Sequence, residues 1–325
     1  MATDEARRSG SGLLFGWIRG AAATAALVFL LGGCAHHQVG PGIPQPYAPL
    51  EAPSFGAFED LEVDGVPLAE HLAARTFRIT GNLRPVGERR GSGEPTGLEK
   101  VDDSEGITFG WAIPLSEDGY FLTAAHIIER SPRPLFLLGR LPGGEVLVEP
   151  LRVVFNSWQG LDTEELSELI PTDVAVVHVT ARVPVTVRWA EPWELRPGTG
   201  LAAVGGERFW PPEVNGGRLI QTRPGVRAPG TGTGSQSIGT LVLIHDALEG
   251  YGGSGAPVML NDGRLAGMTI GGGNWDVPVS LLDGERPEGV PDELRRIRAA
   301  AALYPDPDAL ERVISRDRRR MADET

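Results

Sequence analysis

Three short stretches of the chain carry the side chains needed for nucleophilic catalysis. "YFLTAAHII" places His126 directly after an apolar run, "PTDVAVVHV" places Asp173 directly before one, and "GGSGAP" places Ser254 between glycines. A serine hydroxyl is a weak nucleophile at neutral pH, so it needs a histidine to accept its proton and a carboxylate to orient that histidine. The set predicts acyl transfer with Ser254 as nucleophile, His126 as base and Asp173 as the orienting carboxylate.

The glycines around Ser254 fit the same chemistry. A tight turn lets the backbone N–H groups of Gly252 and Ser254 point at one spot, where a bulky side chain would obstruct them. Two such donors stabilise the oxyanion that forms during acyl transfer. We therefore predict an oxyanion hole made of these two amides.

Each of the three residues also has an ordinary structural explanation when it is taken alone. His126, Asp173 and Ser254 become informative together, because they follow one another at separations of 47 and 81 residues. His245 is a competing base only nine residues before the serine, but no matching motif surrounds it. Asp246 is expected to shape the loop before the serine by local hydrogen bonding, as aspartates do in turns.

The rest of the chain predicts short strands that would position these residues. Glycine (44) and proline (27) are abundant, which favours turns over long helices. About ten runs rich in β-branched and aromatic residues lie between turn residues, without a regular helical pattern, which predicts an antiparallel all-β architecture. Two segments are predicted to be helical: "TEELSELI", and one or two terminal helices in "PDELRRIRAAAALYPDPDALERVISRDRRR".

These motifs resemble those of chymotrypsin-fold (trypsin-like) serine proteases. "TAAH", "DVAVV" and "GGSGAP" are similar to that family's motifs in the same order, which differs from the order in subtilisin-like and α/β-hydrolase enzymes. "HDALEGYGGSGAPV" is closest to the corresponding segment of bacterial high-temperature-requirement (HtrA/DegP-like) proteases. The likeness covers residues 105–283 and leaves no room for a PDZ-like domain. It implies a fold of two six-stranded antiparallel β-barrels, followed here by short C-terminal helices.

The resemblance also implies a substrate pocket and a substrate class. Its floor would lie near Leu248, and its walls would come from Ile270, Gly271 and Gly272. Apart from Glu249 and Asp246, no acidic residue is placed at the floor, so we expect uncharged, apolar side chains before the cleaved bond. Such a protease acts on proteins or peptides and is expected to need no metal or organic cofactor.

The N-terminus has the features of a bacterial lipoprotein signal. Arg7, Arg8 and Arg19 precede the apolar run "AAATAALVFLLGG", which is short for a membrane span and typical of a secretion signal. "LGGC" resembles the lipobox, in which the cysteine is lipidated, so Cys34 is the expected membrane anchor; an uncleaved signal anchor is the alternative. Ala35 in place of aspartate favours the periplasmic face of the outer membrane.

The domain organisation and the expected partners follow from these features. The net charge of −13 argues against nucleic acid as a partner, and the sequence leaves the oligomeric state open. Two functions compete with an active protease: an inactive trypsin-like domain that binds peptides or serves as an envelope scaffold, and a structural lipoprotein that acts through its terminal helices. The predicted segments are a signal peptide (1–33), a Pro/Gly-rich tether (34–56), an N-terminal extension (57–104), the protease domain (105–286) and a helical tail (287–325).

Overall fold

The computed structural model describes residues 60–81, 83–86, 97–100, 109–130, 134–159, 172–205, 212–225, 238–247, 253–283 and 292–324. All of them belong to the unit Pro49–Thr325. The predicted signal, tether and lipidated Cys34, the helix in "TEELSELI", and both Leu248 and Gly252 lie outside the described residues. Among the helices that are described, none is both long and apolar enough to span a membrane.

Seven antiparallel strands form one sheet, which we call the first sheet. Its central strands are buried on both faces: Phe121 packs edge-on against Phe77, with ring centroids 5.0 Å apart, while the neighbouring Tyr120 faces away toward the C-terminal helix. In spatial order its strands are β10 (Arg152–Asn156), β11 (Ala175–His178), β7 (Tyr120–Thr123), β6 (Phe109–Pro114), β3 (Phe77–Thr80), β8 (Phe136–Arg140) and β9 (Val146–Pro150).

Six further strands form a closed antiparallel barrel. Its interior is filled by aliphatic side chains such as Leu201, Leu243 and Val258, which are fully buried. Its strands, in order around the barrel, are β12 (Gly200–Gly205), β13 (Glu213–Pro224), β14 (Thr240–His245), β17 (Leu294–Pro305), β16 (Leu265–Pro278) and β15 (Pro257–Leu260). The prediction of an all-β double-barrel fold is confirmed.

The remaining elements are short. Two small hairpins pair β1 (Glu62–Val63) with β2 (Val66–Pro67) and β4 (Leu83–Val86) with β5 (Gly97–Lys100). The helices are α1 (Leu68–Ala73), α2 (Ala125–Arg130), α3 (Val279–Asp283), a 3₁₀ turn (Pro192–Glu194) and α4 (Pro307–Asp323).

The structure corrects the sequence prediction for the C-terminal segment. Only α4 is helical; residues 294–305, predicted as helix, form β17 and lie between β14 and β16. Alanine favours helices in isolation, but here Ala299–Ala302 are buried in a strand of the barrel wall that pairs with β14 and β16, so tertiary packing overrides local propensity.

The N-terminal extension likewise contains part of the core. Strand β3 pairs with β6 on one side and β8 on the other, so the first sheet begins well before residue 105. Strands β3 and β17 both lie outside the predicted boundaries 105–286, because neither boundary carries a composition change that separates it from the strands inside.

Helix α4 ties the C-terminus to the first sheet. Asp317, almost fully buried, accepts hydrogen bonds from Tyr120 Oη (3.0 Å) and from Arg152 Nη2 (2.6 Å). Arg318 makes a two-pronged contact with Asp118, with both N–O distances 2.8 Å. Since β17 belongs to the barrel and α4 packs on the first sheet, this segment joins both halves.

Candidate active site

His126 and Asp173 are buried and are joined by two hydrogen bonds. One carboxylate oxygen of Asp173 lies 2.6 Å from His126 Nδ1, and the other accepts the backbone N–H of His126 at 2.9 Å. The side chain thus fixes both the ring and the main chain of the histidine. A carboxylate at Nδ1 favours the tautomer that leaves Nε2 free of a proton, which is the form a general base requires.

Strand register brings these two residues together. Thr123, the last residue of β7, pairs with Ala175, the first residue of β11. The antiparallel strands part there, so that His126, three residues after Thr123, and Asp173, two residues before Ala175, leave the sheet at the same point. The apolar runs beside both residues in the sequence are these two buried strands.

The turn of Ser254 is held by backbone bonds to both halves of the fold. Its carbonyl accepts the N–H of Trp111 in the first sheet at 2.9 Å. The N–H of Gly255 donates to Thr269 O in the barrel at 2.8 Å, and Thr269 N donates back to Ala256 O at 2.9 Å. The serine itself is half-buried at the junction of the sheet and the barrel.

Glycine is required at position 255 by close packing. Its φ of +83° is unfavourable for other residues, and a Cβ there would lie 2.0 Å from Trp111 O. Trp111 O also accepts the hydroxyl of Thr123 at 2.7 Å, three residues before His126. A short chain of contacts therefore runs from the serine turn through Trp111 and Thr123 to the segment of His126.

The predicted pocket residues are only partly described. Ile270, Gly271 and Gly272 follow Thr269 on β16 and so lie next to the serine turn. Gly271 has a φ of +136° at an irregularity in the β16–β17 register. Because Gly252 and Leu248 lie outside the described residues, the oxyanion hole and the pocket floor stay predictions.

His245 and Asp246, the two titratable residues that shortly precede Ser254 in sequence, contact parts of the barrel other than the serine turn. His245 is fully buried in the barrel strand β14, where burial lowers its pKa to about 4. Asp246 accepts the backbone N–H of Arg218 at 2.6 Å and lies 3.4 Å from Arg218 Nε. Its partner is thus a residue of β13, 28 positions away, and not a neighbour in its own turn.

Sequence reasoning missed the residues that support this arrangement. The backbone N–H of Trp111 binds the serine turn, and the Thr123 hydroxyl binds Trp111 O. Contacts made by backbone atoms and a single hydroxyl do not produce a recognisable sequence motif. Ser157, at the end of β10, bonds to both residues that flank Asp173. Such contacts depend on strand register, which the local sequence does not reveal.

No group of three or more potential metal ligands occurs among the residues that the structure describes. The described site provides a histidine oriented by a carboxylate, and a serine in a glycine turn whose backbone is linked to the His126 segment through Trp111 and Thr123.

Comparison with known proteins finds a family model and solved structures that are similar to this chain. Residues 110–268 match the family model described as the trypsin-like peptidase domain. No curated protein matches the sequence. Among solved structures the chain is similar to Deg5 (16% identity, TM-score 0.43), over 62% of this chain and 82% of that one. It is also similar to the serine endoprotease from Yersinia pestis (17% identity, TM-score 0.38), over 62% of this chain and 56% of the other.

Proposed function

We propose that the protein is a serine endopeptidase that cleaves peptide bonds through Ser254, His126 and Asp173. The observation that carries this proposal is the double contact of the Asp173 carboxylate with the ring and the backbone of His126. A buried carboxylate is costly unless its oxygens are hydrogen-bonded, so this arrangement is expected where an imidazolium must be stabilised. The trypsin-like family match over residues 110–268 supports the same function.

In the proposed mechanism Ser254 Oγ attacks the carbonyl carbon of the scissile bond while His126 Nε2 takes the hydroxyl proton. The Gly252 and Ser254 amides stabilise the oxyanion. His126 then gives its proton to the leaving amine as the C–N bond breaks, which leaves an acyl-enzyme on Ser254. A water molecule, deprotonated by His126, hydrolyses this ester and restores the free serine.

The substrate proposal is a peptide with an uncharged, apolar side chain before the cleaved bond. Asp246 is the nearest described acidic residue that precedes the serine in sequence, and its two oxygens already face the N–H and the guanidinium of Arg218. It is therefore a poor counterion for a substrate lysine or arginine. Peptide libraries should show preferred cleavage after aliphatic residues; preferred cleavage after lysine or arginine would contradict this part of the proposal.

Covalent labelling tests the central claim directly. Full-length protein in detergent is treated with a fluorophosphonate and analysed by intact mass, beside Ser254→Ala, His126→Ala and the control Ser315→Ala. Ser315 is a half-buried serine of α4 that is hydrogen-bonded to Glu311, far along the chain from the site. We expect one adduct in the wild type and the control, and none in the two site variants. Unchanged labelling or peptide cleavage in His126→Ala would contradict the proposed mechanism.

The proposal also includes a lipid anchor at Cys34 on the periplasmic face of the outer membrane. It rests on the "LGGC" segment and the alanine that follows. Metabolic labelling with an alkyne fatty acid should mark the wild type and not Cys34→Ala, and the wild type should sediment with outer-membrane vesicles. Equal labelling of both proteins would contradict the anchor and leave the proposed chemistry unaffected.

A further inference from the structure

We propose that Asn156, Ser157 and Trp158, which we call the NSW segment, position the His126–Asp173 pair. The inference rests on the proposed function for its catalytic consequence, but its geometry stands on its own. The segment begins at Asn156, the last residue of β10. It contacts the pair in three ways: through the neighbours of Asp173, through helix α2 and through the imidazole ring.

Ser157 fixes the backbone on both sides of Asp173. Its N–H donates to Val174 O at 3.0 Å, and its hydroxyl accepts Val174 N at 3.1 Å. The same hydroxyl donates to Thr172 O. One fully buried side chain thus acts as donor to the residue before Asp173 and as acceptor for the residue after it. Among small side chains only a hydroxyl can do both, so alanine cannot replace it.

Asn156 holds the helix that carries His126. Its Nδ2 donates to Glu129 Oε2 at 3.0 Å, while its Oδ1 accepts the backbone N–H of Trp158 at 2.9 Å. Glu129 lies three residues after His126 on α2, which has little more than one turn. A helix this short has few internal bonds to define its direction, so an external contact contributes substantially to its orientation.

Trp158 covers the imidazole. Its ring centroid lies 6.0 Å from that of His126 at an interplanar angle of 45°, and its side chain is almost fully buried. An indole at this position excludes water from the His126–Asp173 contact, and a hydrogen bond to a carboxylate is stronger where water is excluded. The three residues together therefore hold the carboxylate, the helix and the ring in one arrangement.

Positioning has a measurable consequence that is separate from fold stability. Catalytic groups must be held within roughly 0.5 Å of their productive geometry, and a displacement of about 1 Å can cost about 100-fold in rate. In Ser157→Ala the residues on either side of Asp173 lose two hydrogen bonds, the one accepted by Thr172 O and the one donated by Val174 N. We expect kcat to fall between about 10-fold and 100-fold with little change in KM, since the peptide does not contact Ser157.

The decisive measurement is the NMR signal of the His126 Nδ1 proton in full-length protein, assigned by its disappearance in His126→Ala. We expect a downfield resonance in the wild type that is lost or broadened in Ser157→Ala and retained in Ser157→Thr. Thr76→Val is the matched control, because it removes a buried hydroxyl bonded to a backbone carbonyl, Leu72 O, in α1. This control should keep the resonance even if it loses stability.

Two further outcomes keep this inference distinct from the proposed function. If Ser157→Ala proves unstable, Glu129→Ala alters an exposed side chain and should weaken the resonance through α2 alone. A wild type that shows the resonance but no fluorophosphonate adduct would refute the proposed peptidase and leave the positioning role standing. An unchanged resonance in both Ser157→Ala and Glu129→Ala would overturn the positioning role, whatever the activity.

Discussion

The two halves of the fold hold their functional residues by different means. In the first sheet His126 and Asp173 are fixed by side-chain contacts, to each other and to the NSW segment. In the barrel the turn of Ser254 is fixed by backbone bonds to Trp111 and Thr269 and by the absence of a side chain at Gly255. The first half should therefore be sensitive to the loss of polar atoms, and the second to the addition of apolar ones.

The largest effect is expected from Asp173→Asn, which keeps the shape of the side chain and removes its charge. The neutral amide accepts the Nδ1–H hydrogen bond of His126 more weakly than the carboxylate does. Its NH₂ group can also donate to Nδ1, which favours the tautomer with the proton on Nε2, so kcat should fall about 10⁴-fold. Steady-state peptide-cleavage assays of the wild type and the variant measure the change in kcat. A loss below tenfold would show that the side-chain contacts of the first sheet do not govern the chemistry.

Gly255→Ala tests the steric half of the comparison. The added methyl group meets Trp111 O at 2.0 Å in a backbone of φ +83°, so we expect about 2–5 kcal/mol of lost stability from strain and overpacking, together with loss of labelling. Gly143→Ala is the control, since it has φ +102° and nothing within 4 Å of the added atom. Urea unfolding of both separates the clash from the dihedral strain; equal losses would argue against the clash.

Asp317→Ala probes the contact between α4 and the first sheet. Removing this buried carboxylate leaves Arg152 and Tyr120 without their acceptor, so we expect about 3–5 kcal/mol of lost stability. The exposed pair Glu117–Arg182 provides the control, and Glu117→Gln should change stability by less than about 1 kcal/mol. Similar values for the two variants would mean that α4 contributes little to the first sheet.

Acid should loosen the two halves in different pH ranges. Burial lowers the pKa of His245 in the barrel to about 4, so the unfolded chain binds its proton first, and stability is lost as the pH falls from about 6.5 toward 4, by at most about 3 kcal/mol. The hydrogen bond from Arg318 lowers the pKa of Asp118 on the first sheet to about 2, so that contribution is lost only below about pH 4.

Unfolding at pH 7, 4 and 2 tests this separation, because the His245 contribution is lost in the first interval and the Asp118 contribution in the second. His245→Leu should flatten the first interval, and Asp118→Asn should flatten the second without affecting the first. A wild-type stability that is constant from pH 7 to pH 4 would contradict the role assigned to His245.

Sequence predicted the strands around His126 and Asp173 because both are apolar runs with clear ends, and it predicted that these side chains would act together. It failed for β17, where alanines that favour a helix in isolation instead pack between two strands. It also failed for Ser157, whose importance depends on which residues lie opposite β10. The local sequence pattern was sufficient to predict strands whose burial produces an apolar run. It was insufficient where pairing with a strand distant in sequence determines the structure or the contacts.

The position of β17 near the end of the described chain determines when, during synthesis, the barrel around the Ser254 turn can close. The barrel that carries Ser254 has a gap between β14 and β16 until residues 294–305 are in place, and α4 can bind Asp118 and Arg152 only after that. A nascent chain that has His126, Asp173 and Ser254 but ends before β17 lacks the closed barrel around its serine turn. Assembly of the site therefore waits until residues 294–305 have been synthesised and have paired with β14 and β16.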